Sequence, residues 1–202
     1  AKKNDVLVMV DHIYLFHPAF VKLKEKLADG NSPILTIESI SGNYGPFRDN
    51  CTPLWDWGPH DISMCLDLVK DPIINLNVVE TTVSSYNLND GKKYAVRIEF
   101  SSGIWAHLQF GNSFKEKTRI LKVKVKSGEY RFNECSGEKL VFQDKRGNLT
   151  PIDIGGERPL NKVVKSFQEK INNCSGYSAD LESSIDIVKV LQNIEDDLNR
   201  NL

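Results

Sequence analysis

Alternation of apolar and polar residues over the second half of the chain is the feature that most constrains its fold. In 118–126, Leu121, Val123 and Val125 fall on one side of a strand and lysines on the other, which predicts a buried face and a solvated face rather than a phosphate-binding one. The same pattern recurs in INLNVVETTV (74–83), KKYAVRIEF (92–100), GIWAHLQF (103–110), EYRFNE (129–134) and KLVFQ (139–143). Short connections such as DKRGN (144–148) predict an antiparallel sheet of five or six strands.

Besides the predicted sheet, four segments show apolar residues at helical spacing. Pro18 stands near the first turn of a helix that Gly30 ends, and apolar residues recur at helical spacing between them. A second helix is expected at about 58–69, and two more close the chain over 158–171 and 178–198. Helices grouped with an antiparallel sheet give an α+β fold, with a large open, mainly antiparallel sheet and the helices packed on one face.

Five consecutive apolar residues, Val6 to Val10, are typical of a short strand buried on both faces of a parallel sheet. Nothing before Val6 could pair with it. Residues 33–41 could supply an edge strand of the same sheet, or the sequence could begin partway through a larger protein.

Composition limits the partners and the location of the protein. A formal charge of −1, from 26 basic and 27 acidic residues, provides no global field for nucleic acid or an anionic membrane. No apolar run reaches the length of a membrane span. The four cysteines are far apart and show no zinc-ligand spacing, so we interpret them as reduced cytoplasmic thiols rather than two bridges of a secreted chain. No metal site is expected.

The stretch PLWDWGPHDISMCLDL (53–68) carries a candidate catalytic pair, Asp56 and His60. Residues four apart lie on one face of a helix, and Pro59 favours a first turn, which would place both side chains at the helix N-terminus. An imidazole is a usable base at neutral pH, and a carboxylate can orient it. Alternatively, Asp56 only favours the helix dipole while His60 covers the core.

Three stretches together resemble the Gfo/Idh/MocA family of NAD(P)-dependent oxidoreductases. The subgroup that is most similar acts in sugar-nucleotide and polysaccharide pathways. The similar stretches are VDHIYLFHPAFVKLKEKL (10–27), NYGPFRDNCTPLWDWGPHDISMCLDLV (43–69) and EFSSGIWAHLQF (99–110), followed by the K-x-R of KEKTRILKV (115–123). The resemblance implies a remnant of the nucleotide-binding (Rossmann) domain at 1–15, with Val6 to Val10 as its last strand. It assigns 16–202 to a C-terminal substrate-binding and oligomerisation domain. The family's G-x-G-x-x-G and Glu-Lys-Pro motifs do not occur in these residues.

The resemblance also implies roles for individual residues. His60 would be the catalytic base and Asp56 its companion, while Tyr14, His12 and Arg48 would contact the substrate. Lys117 and Arg119 correspond to the K-x-R of the subgroup, and are also implied to bind substrate. Ordinary loop packing is the alternative for Tyr14 and His12, and a surface ion pair is the alternative for Arg48. For Lys117 and Arg119 the alternative is the solvated end of a strand.

The function implied is oxidation of a hydroxyl of a sugar or sugar nucleotide by hydride transfer to NAD or NADP. The cofactor site would lie mostly outside these residues, and this fragment alone is expected to be inactive. A homo-oligomer formed through the open sheet is expected as well. The alternative function is a non-catalytic binding or oligomerisation module, in which Asp56 and His60 would be splayed apart or engaged in unrelated contacts.

Overall fold

A computed structural model describes residues 2–4, 6–29, 32–83, 91–173 and 179–200. Its helices are α1 (Pro18–Asp29), α2 (Pro53–Leu68), α3 (Pro159–Asn172) and α4 (Ala179–Arg200), with short 3-10 helices at Lys2–Asn4 and Ile13–Phe16. Its strands are β1 (Ile34–Tyr44), β2 (Ile73–Val83), β3 (Gly91–Phe100), β4 (Trp105–Gly111), β5 (Ser113–Val125), β6 (Gly128–Asn133), β7 (Leu140–Asp144) and β8 (Leu149–Pro151). The predicted end of α1 at Gly30 lies outside the described residues.

The eight strands form one open sheet in the order β2-β3-β4-β1-β5-β6-β7-β8. Every neighbouring pair is antiparallel except β1 and β4, which run parallel. The registers place Ile37 of β1 between Ala106 of β4 and Val123 of β5, and all three side chains are fully buried. The prediction of an α+β fold with a mainly antiparallel sheet is therefore confirmed.

Helices cover one face of this sheet because that face carries the apolar half of each alternation. Helix α2 lies on β1, β3 and β4, helix α4 packs on α2 and β2, and α1 contacts β6. A Cβ at Gly58 of α2 would lie 2.8 Å from Leu191 of α4 and 3.2 Å from the Phe110 ring of β4. Glycine is thus what lets α2 approach the sheet and α4 so closely. Burial of large side chains such as Phe110 contributes about 1.5–3 kcal/mol each.

Two expectations about the first part of the chain need correction. Strand β1 is central in the sheet, not at an edge. Its backbone pairs with β4 on one side and with β5 on the other, and both of these strands lie much later in the sequence. Residues Val6 to Val10 form no strand, since a strand needs a neighbour to complete its hydrogen bonds and none of the described strands pairs with them. Val6, Val8 and Val10 are exposed. Whether 1–15 is the remnant of another domain stays a prediction.

Other chemical features of the described residues are few. Cys51, Cys65 and Cys135 carry free thiols, and Cys174 lies outside the described residues. No helix within the described ranges is both long enough and apolar enough to cross a membrane.

Candidate functional site

Helix α2 carries the candidate pair, but it begins earlier than expected. Thr52 is the N-cap residue and Pro53 occupies the first turn, while Pro59 lies inside the helix. Asp56 is in the first turn as predicted, whereas His60 follows about one turn later. The expectation that Pro59 and His60 belong to the first turn is wrong. Pro53 already occupies the first turn, where a residue without a backbone N–H is favoured because that N–H would have no partner within the helix.

The carboxylate of Asp56 bonds to Arg48, whose Nε lies 3.0 Å from Oδ2. Arg48 belongs to the connection between β1 and α2, and buried Asn112 holds the start of that connection. The Asn112 side chain donates to the carbonyl of Pro46 at 3.2 Å, and the backbone carbonyl of Asn112 accepts from the N–H of Gly45 at 2.9 Å. The ion pair lies at the rim of the site, where both side chains meet solvent.

The imidazole of His60 is half-buried next to the short 3-10 helix. Its ring meets Tyr14 edge to face, with centroids 5.1 Å apart and planes at 76°. Nδ1 is sealed from solvent and has no hydrogen-bond partner among the described residues. Burial first, and then the charges of Arg119 and His12, lower the pKa of His60 to about 4, although Asp56 acts in the opposite direction. The ring is therefore uncharged at neutral pH.

Tyr14 links His60 to a group of charged residues on the covered face of the sheet. Its hydroxyl donates to Oε2 of Glu134 at 3.2 Å, and its ring lies under the guanidinium of Arg119, with Cζ 4.0 Å from the ring centroid. Burial is the main reason that the pKa of Tyr14 is raised to about 12. The phenol thus remains a hydrogen-bond donor throughout the physiological range.

Arg119 is almost fully buried, with 3% of its surface exposed. Its Nη1 lies 3.6 Å from Asp61 and its Nε lies 3.6 Å from Glu134. Ser39 and Ser41 of β1 each donate a hydrogen bond to the fully buried carboxylate of Asp61. Burial raises the pKa of Asp61, while Arg119 acts to lower it. These contacts fasten the turn of α2 that carries His60 to the centre of the sheet.

The structure brings together some of the residues that the sequence singled out and leaves others apart. Tyr14, His60 and Arg119 form one cluster, and Asp56 with Arg48 forms an ion pair beside it. The exposed side chain of Lys117 belongs to neither group, although its backbone carbonyl accepts from the thiol of Cys135.

His12 lies on a different surface from the ion pair. Its Nε2 is 3.1 Å from Oγ of Ser184 in α4, and its ring lines a cavity of about 570 Å³ between the N-terminal segment, α2 and α4. Burial lowers the pKa of His12, against the influence of Asp11. The charge of His12 acts on His60, so the two rings belong to adjoining parts of one region.

Sequence reasoning missed Asp61 and Glu134, which hold the cluster in place. Asp61 directly follows His60, and a carboxylate among the apolar residues of α2 was the available signal, because a buried acid requires partners. Nothing local marks Glu134, since its contact with Tyr14 joins residues that are 120 positions apart.

Neither a metal site nor the usual dinucleotide motif occurs among the described residues. They contain no group of three or more His, Cys, Asp or Glu side chains that could hold a metal ion. Within the described ranges no helix is preceded by the G-x-G-x-x-G sequence that usually holds a pyrophosphate. The described residues therefore lack this signature of a dinucleotide site.

Several solved structures with a similar fold are described as oxidoreductases, dehydrogenases or reductases. A protein described as an oxidoreductase from Magnetospirillum magnetotacticum MS-1 is 29% identical, with a TM-score of 0.83 over 96% of this chain and 65% of its own. The chain shares the fold of these enzymes. UDP-N-acetylglucosamine 3-dehydrogenase from Acidithiobacillus ferrooxidans is 14% identical, with a TM-score of 0.81 over 98% of this chain and 63% of its own. Biliverdin reductase from Synechocystis sp. PCC 6803, solved with biliverdin and NADP+, is 18% identical, with a TM-score of 0.77 over 98% and 63%.

The chain spans slightly less than two thirds of the length of these structures. Neither a scan against protein-family models nor a search of curated proteins gives a match. At the lower identities the similarity establishes the fold alone.

Proposed function

We propose that this chain is the substrate-side domain of an NAD(P)-dependent dehydrogenase of the Gfo/Idh/MocA family, which oxidises a hydroxyl of a sugar or sugar nucleotide. The observation that carries the proposal is the uncharged imidazole of His60 held against Tyr14, in a chain with the fold of solved oxidoreductases. The resemblance of the motifs around His60 to the sugar-nucleotide subgroup supports the choice of substrate class. The A. ferrooxidans neighbour, named as a sugar-nucleotide dehydrogenase, points to the same class.

In the proposed reaction His60 accepts the proton of the substrate hydroxyl. Because Nδ1 is sealed from solvent, Nε2 is the atom that would receive this proton. General-base assistance of this kind typically accelerates a reaction by about 10²–10⁴-fold. A bound nicotinamide would supply the hydride acceptor, held by a nucleotide-binding domain outside these residues.

The rim pair would bind a second part of the substrate. A hydroxyl or an anionic group of the substrate that binds Arg48 would release Asp56. The released carboxylate would offset more of the downward shift in the pKa of His60. This matters because an imidazole with a pKa of about 4 is a weak proton acceptor. Substrate binding would thus make His60 a stronger base at the moment when one is needed.

A non-catalytic binding or oligomerisation module is the second candidate function. Two observations favour it: Asp56 bonds to Arg48, and Nδ1 of His60 has no hydrogen-bond partner within the described part of the chain. Under this hypothesis the cluster only stabilises the fold, and substitution of His60 would change no reaction rate.

The decisive experiment uses the protein expressed from its complete reading frame. Nicotinamide reduction is measured with a panel of sugars and sugar nucleotides, separately with NAD and NADP. His60→Gln should reduce kcat by at least about a hundredfold and leave cofactor affinity unchanged. The same replacement at His107, which is exposed on the other face of the sheet, is the matched control. Loss of cofactor binding in His60→Gln, or full activity in that variant, would refute the assigned role.

The open face of the sheet would serve for subunit pairing. Trp105 of β4 and Ile40 of β1 are half-buried on this face, and Arg97 lies 3.7 Å from the centroid of the Trp105 ring. We expect Trp105→Glu to convert an oligomer into a monomer in light scattering. A monomeric unmodified protein would contradict this part of the proposal.

A further inference from the structure

We propose that Arg119 is a positioning residue for His60 and not a ligand of the substrate: its buried guanidinium fixes the imidazole through the ring of Tyr14 and through Asp61. This inference rests on the proposed role of His60 as the base. It reassigns Arg119, which the resemblance places among the substrate-binding residues.

The burial of Arg119 keeps it from binding substrate directly. Only 3% of the residue is exposed, and one face of the guanidinium is covered by Tyr14 at 4.0 Å. Its edges face Asp61 and Glu134, each at 3.6 Å. A phosphate or carboxylate could reach it only by displacing these groups. The exposed cation beside the site is Arg48 instead, with about half of its side chain open to solvent.

The first route from Arg119 to His60 passes through Tyr14. Glu134 accepts the phenol hydroxyl at 3.2 Å and also faces Nε of Arg119, so the three side chains form a closed triangle. The backbone N–H of Glu134 donates to the carbonyl of Arg119 at 3.0 Å, which joins the two residues a second time. With its hydroxyl and one face held, the Tyr14 ring keeps a fixed plane, and His60 meets it at 76°. A held aromatic ring restricts the orientation of an imidazole that packs against it.

The second route passes through the backbone of α2. Asp61 is the neighbour of His60, and its carboxylate is held by Ser39, Ser41 and Arg119. Movement of Arg119 would leave the buried carboxylate of Asp61 without its cation and would loosen the helical turn at His60. Both routes lead from Arg119 to the imidazole of His60. An ion pair that only stabilised the fold would not need two connections to this one side chain.

Two readouts distinguish positioning from substrate binding. The first is the NMR signal of the His60 ring carbons and nitrogens without any ligand, assigned by its loss in His60→Gln. The second is the division of a kinetic effect between kcat and KM. Arg119→Lys keeps the charge but loses the planar fork and the stacking surface. Arg146→Lys is the control for the same replacement, because Arg146 is exposed in the turn between β7 and β8, at the edge of the sheet.

For Arg119→Lys we expect a changed His60 signal and a fall in kcat on the order of a hundredfold, with KM nearly unchanged. Arg146→Lys should leave the His60 signal and kcat as they are. A raised KM with an unchanged His60 signal would overturn the proposal in favour of substrate binding. An unchanged signal together with unchanged kinetics would overturn it as well.

Substitutions of Tyr14 test the first route even if Arg119→Lys does not fold. Tyr14→Leu removes the ring, and should shift the ligand-free His60 signal while Arg119, Asp61 and Glu134 remain. Tyr14→Phe keeps the ring against Arg119 but loses the bond to Glu134, so the His60 signal should shift less than in Tyr14→Leu. An unchanged signal in Tyr14→Leu would refute the inference. Because these spectra need no turnover, they decide the positioning role even if the protein proves to transfer no hydride.

Discussion

Burial of an uncharged His60 makes the stability of the protein depend on pH in a specific way. In the folded chain its pKa is lowered to about 4, chiefly by burial, from an ordinary value of 6.5 that applies when the chain is unfolded. Between these two values the unfolded chain binds a proton that the folded chain does not. The free energy of unfolding contributed by His60 is therefore fully present above about pH 6.5 and is lost as the pH falls towards 4.

The size of this loss follows from the two pKa values. At about 1.4 kcal/mol for each pH unit, the interval from 6.5 to about 4 corresponds to at most about 3.5 kcal/mol. Because part of the ring meets solvent, we expect a measured loss of about 1–3 kcal/mol. Other titrating groups contribute in the same pH range, so the quantity to measure is the difference between the unmodified protein and His60→Gln.

Urea unfolding followed by tryptophan fluorescence, at pH values from 4 to 7.5, measures this difference. The stability advantage of the unmodified protein over His60→Gln should shrink by about 1–3 kcal/mol as the pH falls. The same replacement at exposed His107 controls for the loss of a histidine as such. Parallel curves for the unmodified protein and His60→Gln over the whole range would refute the claim that His60 is buried and uncharged.

Three further substitutions test contacts around the site, each by urea unfolding. Asp61→Ala takes away one of the two carboxylates that face buried Arg119 and should cost about 3–5 kcal/mol, and Asp61→Asn, which keeps a hydrogen-bond acceptor but loses the charge, should cost nearly as much; a much smaller loss for Asp61→Asn would contradict the ionic role. Gly58→Ala should cost about 1–3 kcal/mol, since its Cβ would meet Leu191 at 2.8 Å, and Leu191→Ala in the same chain should recover part of that loss. Arg48→Ala removes an exposed ion pair and should cost no more than about 1 kcal/mol; a larger loss would mean that the rim pair supports the fold.

Much of the fold could be predicted from local patterns. Strand β5 shows why: Leu121, Val123 and Val125 are buried on one face, and the intervening lysines lie on the other, because side chains alternate along any strand. The position of β1 could not be predicted in this way. Its neighbours β4 and β5 are set by pairings between distant segments, which no local period reveals.

The candidate site was predictable only in part, for a similar reason. Helical spacing places Asp56 and His60 on one side of α2, but the partner of Asp56 is chosen by a connection that delivers Arg48 from outside the helix. The burial of Arg119 depends likewise on Tyr14 and Glu134, which come from the N-terminal segment and the end of β6. Spacing indicates which side chains can meet, whereas tertiary packing decides which of them do.

Transfer of deuterium tests the central claim most directly. The full-length protein is incubated with NAD or NADP and a sugar nucleotide deuterated at the carbon that bears the reacting hydroxyl, and the reduced cofactor is analysed by mass spectrometry. The account predicts that the label moves to the nicotinamide ring, and that His60→Gln slows this transfer by at least about a hundredfold without redirecting the label. Label that stays on the sugar across the panel, or transfer at an undiminished rate in His60→Gln, would contradict the account.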